Sequence, residues 1–154
     1  RINNLFSALS ITNYQLRITN YQLPITNYHP YKYGKYLPRD YMTINTKTVA
    51  GVSIIEIADN NVDSRTVTSI QHEIMPLIES NSKLIVDLSQ VSYMSSGGLR
   101  MLLSSYRKVT AKNGKLILVG LSEEIKDTMS VTGFLDFFNH SENATTGLAL
   151  FLEK

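Results

Sequence analysis

The sequence predicts an α/β domain in which about four helices pack on a β-sheet of about four to five mostly parallel strands. Two apolar runs, Leu84–Leu88 and Lys115–Val119, are typical of buried strands, and each leads towards a helix-like segment. Strands and helices alternate in this way from Met42 to Lys154. Such alternation favours right-handed crossovers and a largely parallel sheet.

The first part of this region predicts a hairpin followed by a helix. Two β-rich segments, Thr46–Val49 and Val52–Ile57, flank a turn at Ala50–Gly51. The polar turn Asp59–Ser64 ends in good N-cap candidates. Apolar residues then recur at helical spacing: Val67, Ile70, Ile74, Leu77 and Ile78. Pro76 lies late in this helix, and we expect it to kink or shorten the helix.

The middle of the region predicts a strand, a helix and a second strand. Leu84–Leu88 is the first strand, and the helical pattern then runs from Leu99 to Val109. Asn113–Gly114 is a stop signal for that helix. Lys115–Val119 follows as the second strand.

The last part predicts two helices and a short strand between them. Ser122–Ile125 is typical of a helix start, with acids in the first turn, and Gly133 is expected to end this helix. Phe137–Phe138 is a candidate short strand, and Ala144–Leu152 is the last helix.

Composition indicates one ordinary domain without disulfide or thiol chemistry. The 154 residues include no cysteine and only three well-separated histidines, His29, His72 and His140. No apolar run approaches the roughly 18 residues that span a bilayer, and residues 1–9 lack the apolar region of a secretory signal. We therefore expect a cytoplasmic protein with no membrane partner.

The net charge of +2 is unevenly distributed. Residues 1–41 contain five basic residues and one acid, whereas residues 42–154 contain ten basic and twelve acidic residues. The basic balance therefore belongs to the first segment. The rest of the chain gives no electrostatic reason to expect direct nucleic-acid binding.

The segment 1–41 differs from the rest in pattern as well as in charge. Ile11–Tyr31 is a tandem repeat of seven residues, and seven of the nine tyrosines lie in the segment. Three interpretations fit this pattern: a basic arm that stacks on single-stranded nucleic acid, a disordered tail, or an over-extended start that translates a short DNA repeat. Pro24 and Pro30 argue against a coiled coil. We expect an over-extended start or a disordered tail, with the folded domain at residues 42–154.

The chain concentrates its chemistry just after Leu84–Leu88, where residues 94–98 read Met-Ser-Ser-Gly-Gly before a helix. The first N–H groups of a helix have no partners within it, and the helix dipole favours negative charge there. The entrance therefore suits a phosphate. An inert turn uses the same residues, because serine is a favoured N-cap and glycine eases a tight connection. The residues alone leave both interpretations open.

Enzymatic interpretations of this junction lack their motifs. Ser96 does not lie in G-x-S-x-G, and no histidine is an obvious base for it. Neither G-x-x-x-x-G-K-[ST] nor G-x-G-x-x-G is present. Asp59, Asp63 and Asp87 specify no metal geometry, since acids at strand ends more often hold backbone N–H groups. We expect no enzyme, no metal site and no cofactor.

From Met42 to Lys154 the order of elements and the helix entrance resemble the STAS domain of bacterial anti-sigma factor antagonists. The motifs that carry the resemblance are Ile85–Ser89, Val91–Met94, Ser95–Leu99, Lys115–Leu121 and Thr132–Phe134. The family's usual entrance is Asp-Ser-Ser-Gly-Leu, and the partner kinase phosphorylates its first serine. Ser96 corresponds to that serine, whereas Ser95 replaces the aspartate and Gly97 replaces the second serine.

The resemblance implies a phosphoprotein that regulates transcription by partner switching. The unphosphorylated protein would bind an anti-sigma factor serine kinase and release a sequestered sigma factor, and phosphorylation of Ser96 would end that binding. A serine phosphatase is a further implied partner. The family's Gly-x-Leu-Asp turn corresponds to Asn60–Asp63, which keeps the aspartate and loses the glycine.

The resemblance also implies a partner-binding surface around the turn and the helix entrance, formed by Asp63, Ser64, Met94, Ser95, Gly97, Gly98 and Leu99. Met94 and Leu99 are expected to offer exposed apolar contacts, with a core position as the alternative for Leu99. A second hypothesis is a STAS-type scaffold or ligand-sensing module in a non-sigma signalling complex that is never phosphorylated. An enzyme on this fold is the third.

Overall fold

Residues 44–153, which the computed structural model describes, form a mixed five-stranded sheet with helices on both faces. The strands, in chain order, are β1 (Ile44–Val49), β2 (Val52–Ile57), β3 (Asn61–Val62), β4 (Lys83–Asp87), β5 (Tyr93–Met94), β6 (Lys115–Val119) and β7 (Asn139–Ser141). The helices are α1 (Val67–Ser80), α2 (Ser96–Thr110), α3 (Glu123–Val131) and α4 (Ala144–Leu152).

The strands of the main sheet lie in the order β1-β2-β4-β6-β7. β1 is antiparallel to β2, and every other neighbouring pair is parallel. β3 and β5 form a separate parallel pair outside this sheet. The predicted α/β class, with a largely parallel sheet and four α-helices in the part of the chain described, is confirmed.

The hairpin and the buried strands form for the reasons the sequence indicates. Ala50 and Gly51 both have positive φ, 52° and 77°, which gives the tight two-residue turn that joins β1 to β2. Side chains alternate across the sheet: Leu84 and Val86 pack with helices α1, α2 and α3, whereas Ile85 packs with α4 on the other face. A strand that is covered on both faces is apolar along its buried part, as β4 is at Leu84, Ile85 and Val86.

The structure differs from two sequence expectations for this region. Pro76 does not shorten α1, which continues to Ser80 because Ile78, beyond the proline, is fully buried in the core. Phe137–Phe138 is not a strand, because Phe137 closes a 3-10 helix (Leu135–Phe137) and the strand begins one residue after Phe138. Phe138 instead packs edge-to-face on Tyr106 of α2, with ring centroids 5.3 Å apart. The expectations for residues 1–41 lie outside the described residues.

The end of α1 depends on a lysine from a different element. α1 has no basic residue in its last turn, so its own sequence supplies no cation for the terminal carbonyls. Lys112, just after α2, donates through its ammonium to the Ile78 carbonyl and to the Glu79 carbonyl, the latter at 2.9 Å. This contact ties the two helices together where α1 ends.

Replacing Lys112 with methionine is expected to lower the free energy of unfolding by about 1 kcal/mol, because two terminal carbonyls lose a charged donor. Urea denaturation measures the effect. Lys47→Met on the exposed face of β1 is the matched control and should change stability by less than about 0.5 kcal/mol. Equal unfolding midpoints for the two variants would contradict the role given to Lys112.

Candidate functional site

The candidate site lies where two loops are held together by the β3–β5 pair. Val62 is aligned with Met94 in this parallel pair. The Ser95 N–H donates to the Val62 carbonyl at 2.8 Å, and the Tyr93 N–H donates to the Asn60 carbonyl at 3.1 Å. The turn before α1 and the entrance of α2 are therefore neighbours, although about thirty residues separate them in sequence.

Ser95 is the N-cap of α2. Its hydroxyl oxygen accepts from the Gly98 N–H at 3.3 Å, and its carbonyl accepts from the Leu99 N–H at 3.0 Å. Its backbone is extended, with φ −73° and ψ 168°, as an N-cap requires. The N-cap interpretation of the serine pair is thus correct for Ser95 and leaves Ser96 without that task.

Ser96 is the first residue of α2, and its side chain is exposed. Its hydroxyl makes no hydrogen bond to any residue in the range 44–153, so no base in that range activates it as a nucleophile. A free, exposed hydroxyl at the start of a helix is accessible to an external enzyme. The arrangement suits a residue that is acted upon.

The two glycines of the entrance have different roles. A Cβ on Gly98 would lie 2.6 Å from Met94 Cγ and 2.9 Å from Val62 Cγ1, so only glycine lets α2 approach β3 this closely. A Cβ on Gly97 would meet Ser95 Oγ at 3.5 Å, which is ordinary contact. Gly98 is therefore required by packing, and Gly97 is not.

Met94 and Leu99 do not offer the exposed apolar contacts expected of them. Met94 is 5% exposed and Leu99 is 3% exposed, and both belong to the main hydrophobic core. Met94 points inward because β5 packs against β3, and Leu99 points inward because it lies on the apolar stripe of α2. Gly98 is buried as well, so these three residues support the site from beneath.

Asp63 organises the turn before α1. Its carboxylate accepts from the Arg65 backbone N–H at 2.8 Å and forms an ion pair with the Arg65 guanidinium, also at 2.8 Å. The side-chain hydrogen bond from Arg65, followed by the backbone one, lowers the pKa of Asp63 below its ordinary value of 3.8. The Asp63 N–H donates to Thr66 Oγ1 at 3.0 Å, and Ser64 at the tip of the turn is exposed. The turn therefore has a fixed shape and an exposed tip.

A shallow depression of about 220 Å³ lies beside Ser96 and contains residues that the sequence interpretation did not assign to the site. Its walls come from β5, the start of α2 and the start of α3, and the newly found members are Ser92, Tyr93, Glu124, Ile125 and Thr128. The order of the strands in the sheet could have indicated that the start of α3 lies beside the start of α2. β4 and β6 are parallel neighbours, so the helices that follow them begin at the same edge of the sheet.

The other candidates from the sequence lie elsewhere or have structural tasks. Asp59 accepts from the Asn61 N–H at 3.0 Å, and Asp87 accepts from the Ser89 N–H at 2.9 Å, as expected for acids at strand ends. Within residues 44–153, no group of three or more side chains is placed to bind a metal ion. None of the helices in that range has the length and apolar character that a membrane span needs.

The fold and this helix entrance agree with one known family. Residues 43–147 match the STAS domain, and the chain belongs to the STAS domain family. The resemblance drawn from the sequence is confirmed.

Several relatives and solved structures that this chain resembles carry the name anti-sigma factor antagonist. The anti-sigma-B factor antagonist of Bacillus subtilis is 27% identical over 108 residues, which cover 70% of this chain and 99% of the relative. That of Staphylococcus epidermidis is 25% identical over 103 residues, which cover 66% and 95%. The structure of an anti-sigma factor antagonist from Mycobacterium paratuberculosis superposes with a TM-score of 0.67, at 22% identity, over 75% of this chain and 97% of that one.

Adjacent glycines in α2 allow a matched test of the packing at the entrance. Gly98→Ala is expected to destabilise the protein by about 1–3 kcal/mol, because its methyl group overlaps Met94 and Val62. Gly97→Ala should be neutral or stabilising by up to about 1 kcal/mol, since alanine is the better helix former. Thermal unfolding of both variants decides the point. Equal losses of stability would show that α2 does not depend on contact with Val62.

The ion pair at the turn predicts a pH dependence. Because the folded-state pKa of Asp63 is depressed, its contribution to stability is present above the unfolded-state pKa and is lost as the pH falls through the folded-state value. Carbon NMR of the carboxyl group should give a pKa below 3.8 in the wild type and a higher one in Arg65→Gln. Lys126→Gln, which breaks the distant ion pair with Glu123, is the control. An unchanged Asp63 titration in Arg65→Gln would contradict the assignment.

Proposed function

We propose that the protein is an anti-sigma factor antagonist that acts by partner switching, with Ser96 as the phosphoacceptor. The observation that carries this proposal is the exposed Ser96 hydroxyl, which stands free at the start of α2 beside a shallow depression. The names of the relatives support the same role. In its unphosphorylated form, the protein binds an anti-sigma factor serine kinase, and the kinase then releases its sigma factor.

The chemistry of the switch belongs to the partners. The kinase transfers the γ-phosphoryl group of ATP to Ser96 Oγ, so that a new P–O bond forms, the bond to the ADP oxygen breaks and the hydroxyl proton leaves. A serine phosphatase reverses the step by hydrolysis, which returns the hydroxyl and inorganic phosphate. The protein itself supplies an accessible oxygen at a fixed position and no catalytic group.

A phosphate on Ser96 changes the surface without breaking the fold. The hydrogen bonds that secure the entrance are made by Ser95 and by backbone groups, and the Ser96 side chain takes part in none of them. Phosphorylation adds a charge of about −1.5 to −2 at pH 7. The new charge and bulk therefore act on a docked partner by repulsion and altered shape.

The surface that a partner meets is polar at its rim. Ser64 and Ser96 are exposed, and Tyr93, which lies between the two loops, is 47% exposed. The aromatic ring of Tyr93 is the apolar contact that Met94 and Leu99 do not provide. Buried Met94, Gly98 and Leu99 contribute by holding these exposed groups in position. A protein that acts on a sigma factor and its kinase works in the cytoplasm, so the proposal includes that location.

Variants of Ser96 test the proposal in a pull-down with the anti-sigma factor kinase. Ser96→Ala should keep the affinity of the unmodified protein, whereas Ser96→Asp should weaken it by about tenfold or more, since 1.4 kcal/mol of repulsion is enough for that change.

The control is Ser82→Asp, which adds the same charge at the opposite end of the sheet, before β4 begins. It should bind like the wild type. Equal binding of Ser96→Ala and Ser96→Asp would contradict the switch, and a loss of binding in Ser82→Asp would show an effect of net charge alone.

A further inference from the structure

Arg100 lies one helical turn beyond Ser96 on the exposed side of α2. Residues four apart on a helix are neighbours, with about 5–6 Å between their Cβ atoms. Both side chains are exposed, and the Arg100 guanidinium has no ion pair or hydrogen bond within residues 44–153. α2 contains no acidic residue, so Arg100 has no counter-charge on its own helix. Among the described residues, Arg100 is therefore an exposed cation without a counter-charge, one helical turn from Ser96.

A carboxylate without an ion pair among the described residues shares the depression with Ser96. Glu124, at the start of α3, lines the depression next to Ser96 and has no ion pair within the described range. Its neighbour Glu123 is paired with Lys126 at 3.2 Å. Asp63, in the turn before α1, is paired with Arg65. A phosphate on Ser96 therefore meets a repulsive charge in the depression and an attractive one along α2.

The backbone of α2 offers the phosphate few donors of its own. The Gly98 N–H already donates to Ser95 Oγ, and the Leu99 N–H donates to the Ser95 carbonyl. In the first turn only the N–H groups of Ser96 and Gly97 remain. A guanidinium has five N–H donors, and its fork matches the geometry of phosphate oxygens.

We infer that Arg100 receives a phosphate on Ser96 and holds it along the outer face of α2, away from Glu124. The inference rests on the proposed phosphorylation of Ser96 and adds the residue that positions the product. The ion pair orders the phosphate and removes the free cation from the outer face of α2. Phosphorylation therefore changes the charge of this surface at two positions, Ser96 and Arg100.

The titration of the phosphate tests this inference without a kinase or a binding partner. Phosphoserine is introduced at position 96 of the full chain during translation, and phosphorus NMR follows its second ionisation, near pH 6. Arg100→Gln is expected to raise that pKa by about half a unit, the effect of one charge about 6 Å away in water. Arg100→Lys keeps the positive charge, so its phosphate pKa should stay close to the wild-type value.

Arg107→Gln is the matched control. Arg107 lies on the same face of α2, about 10 Å further along the axis than Arg100, so salt screens its charge from the phosphate. The inference is overturned if the wild type and Arg100→Gln share one phosphate pKa, or if Arg107→Gln shifts it equally. Because no kinase is used, this outcome is independent of the pull-down. A failed pull-down with a normal Arg100 effect would overturn the partner switch alone.

Discussion

The site depends on the close approach of α2 to β3. The Val62 carbonyl accepts from the Ser95 N–H at 2.8 Å. The Val62 side chain lies so close to Gly98 that position 98 has no room for a Cβ. This contact places the N-cap serine, which in turn directs the Ser96 side chain outward to solvent. The connection between the two loops therefore presents the Ser96 hydroxyl without involving it in the contacts that hold the loops together.

Local patterns in the sequence predicted most of the fold. The continuous apolar runs gave both central strands, and the spacing of Ile70, Ile74 and Ile78 gave the buried face of α1. α1 continues past Pro76, contrary to the expected shortening, because burial of Ile78 outweighs the local cost of proline in a helix. The strand after Phe138 was misplaced because β7 is short and exposed, and its residues carry no strand-like periodicity.

Patterns within one segment predicted the helix entrance, and the family resemblance added the turn at Asp63 and Ser64. The serine pair predicted an N-cap at this entrance, which the structure assigns to Ser95, and the family's motif makes Ser96 the expected acceptor. Glu124 and Tyr93 join the site through the order of the strands, which single-segment patterns do not reveal. Burial of Met94 likewise depends on the β3–β5 pair, whose strands have two residues each.

The two departures from the family's entrance motif have different physical meanings. Ser95 keeps the capping hydrogen bond of an aspartate without its charge, so a phosphate on Ser96 meets one negative charge fewer. Position 97 has room for a Cβ, so steric exclusion does not explain why glycine replaces the family's second serine there. The proposed phosphorylation of Ser96 is tested most directly by mass-spectrometric mapping after incubation with ATP and candidate anti-sigma factor kinases. We expect one phosphate, on Ser96; a phosphate on Ser95 or elsewhere, or none at all, would contradict the account.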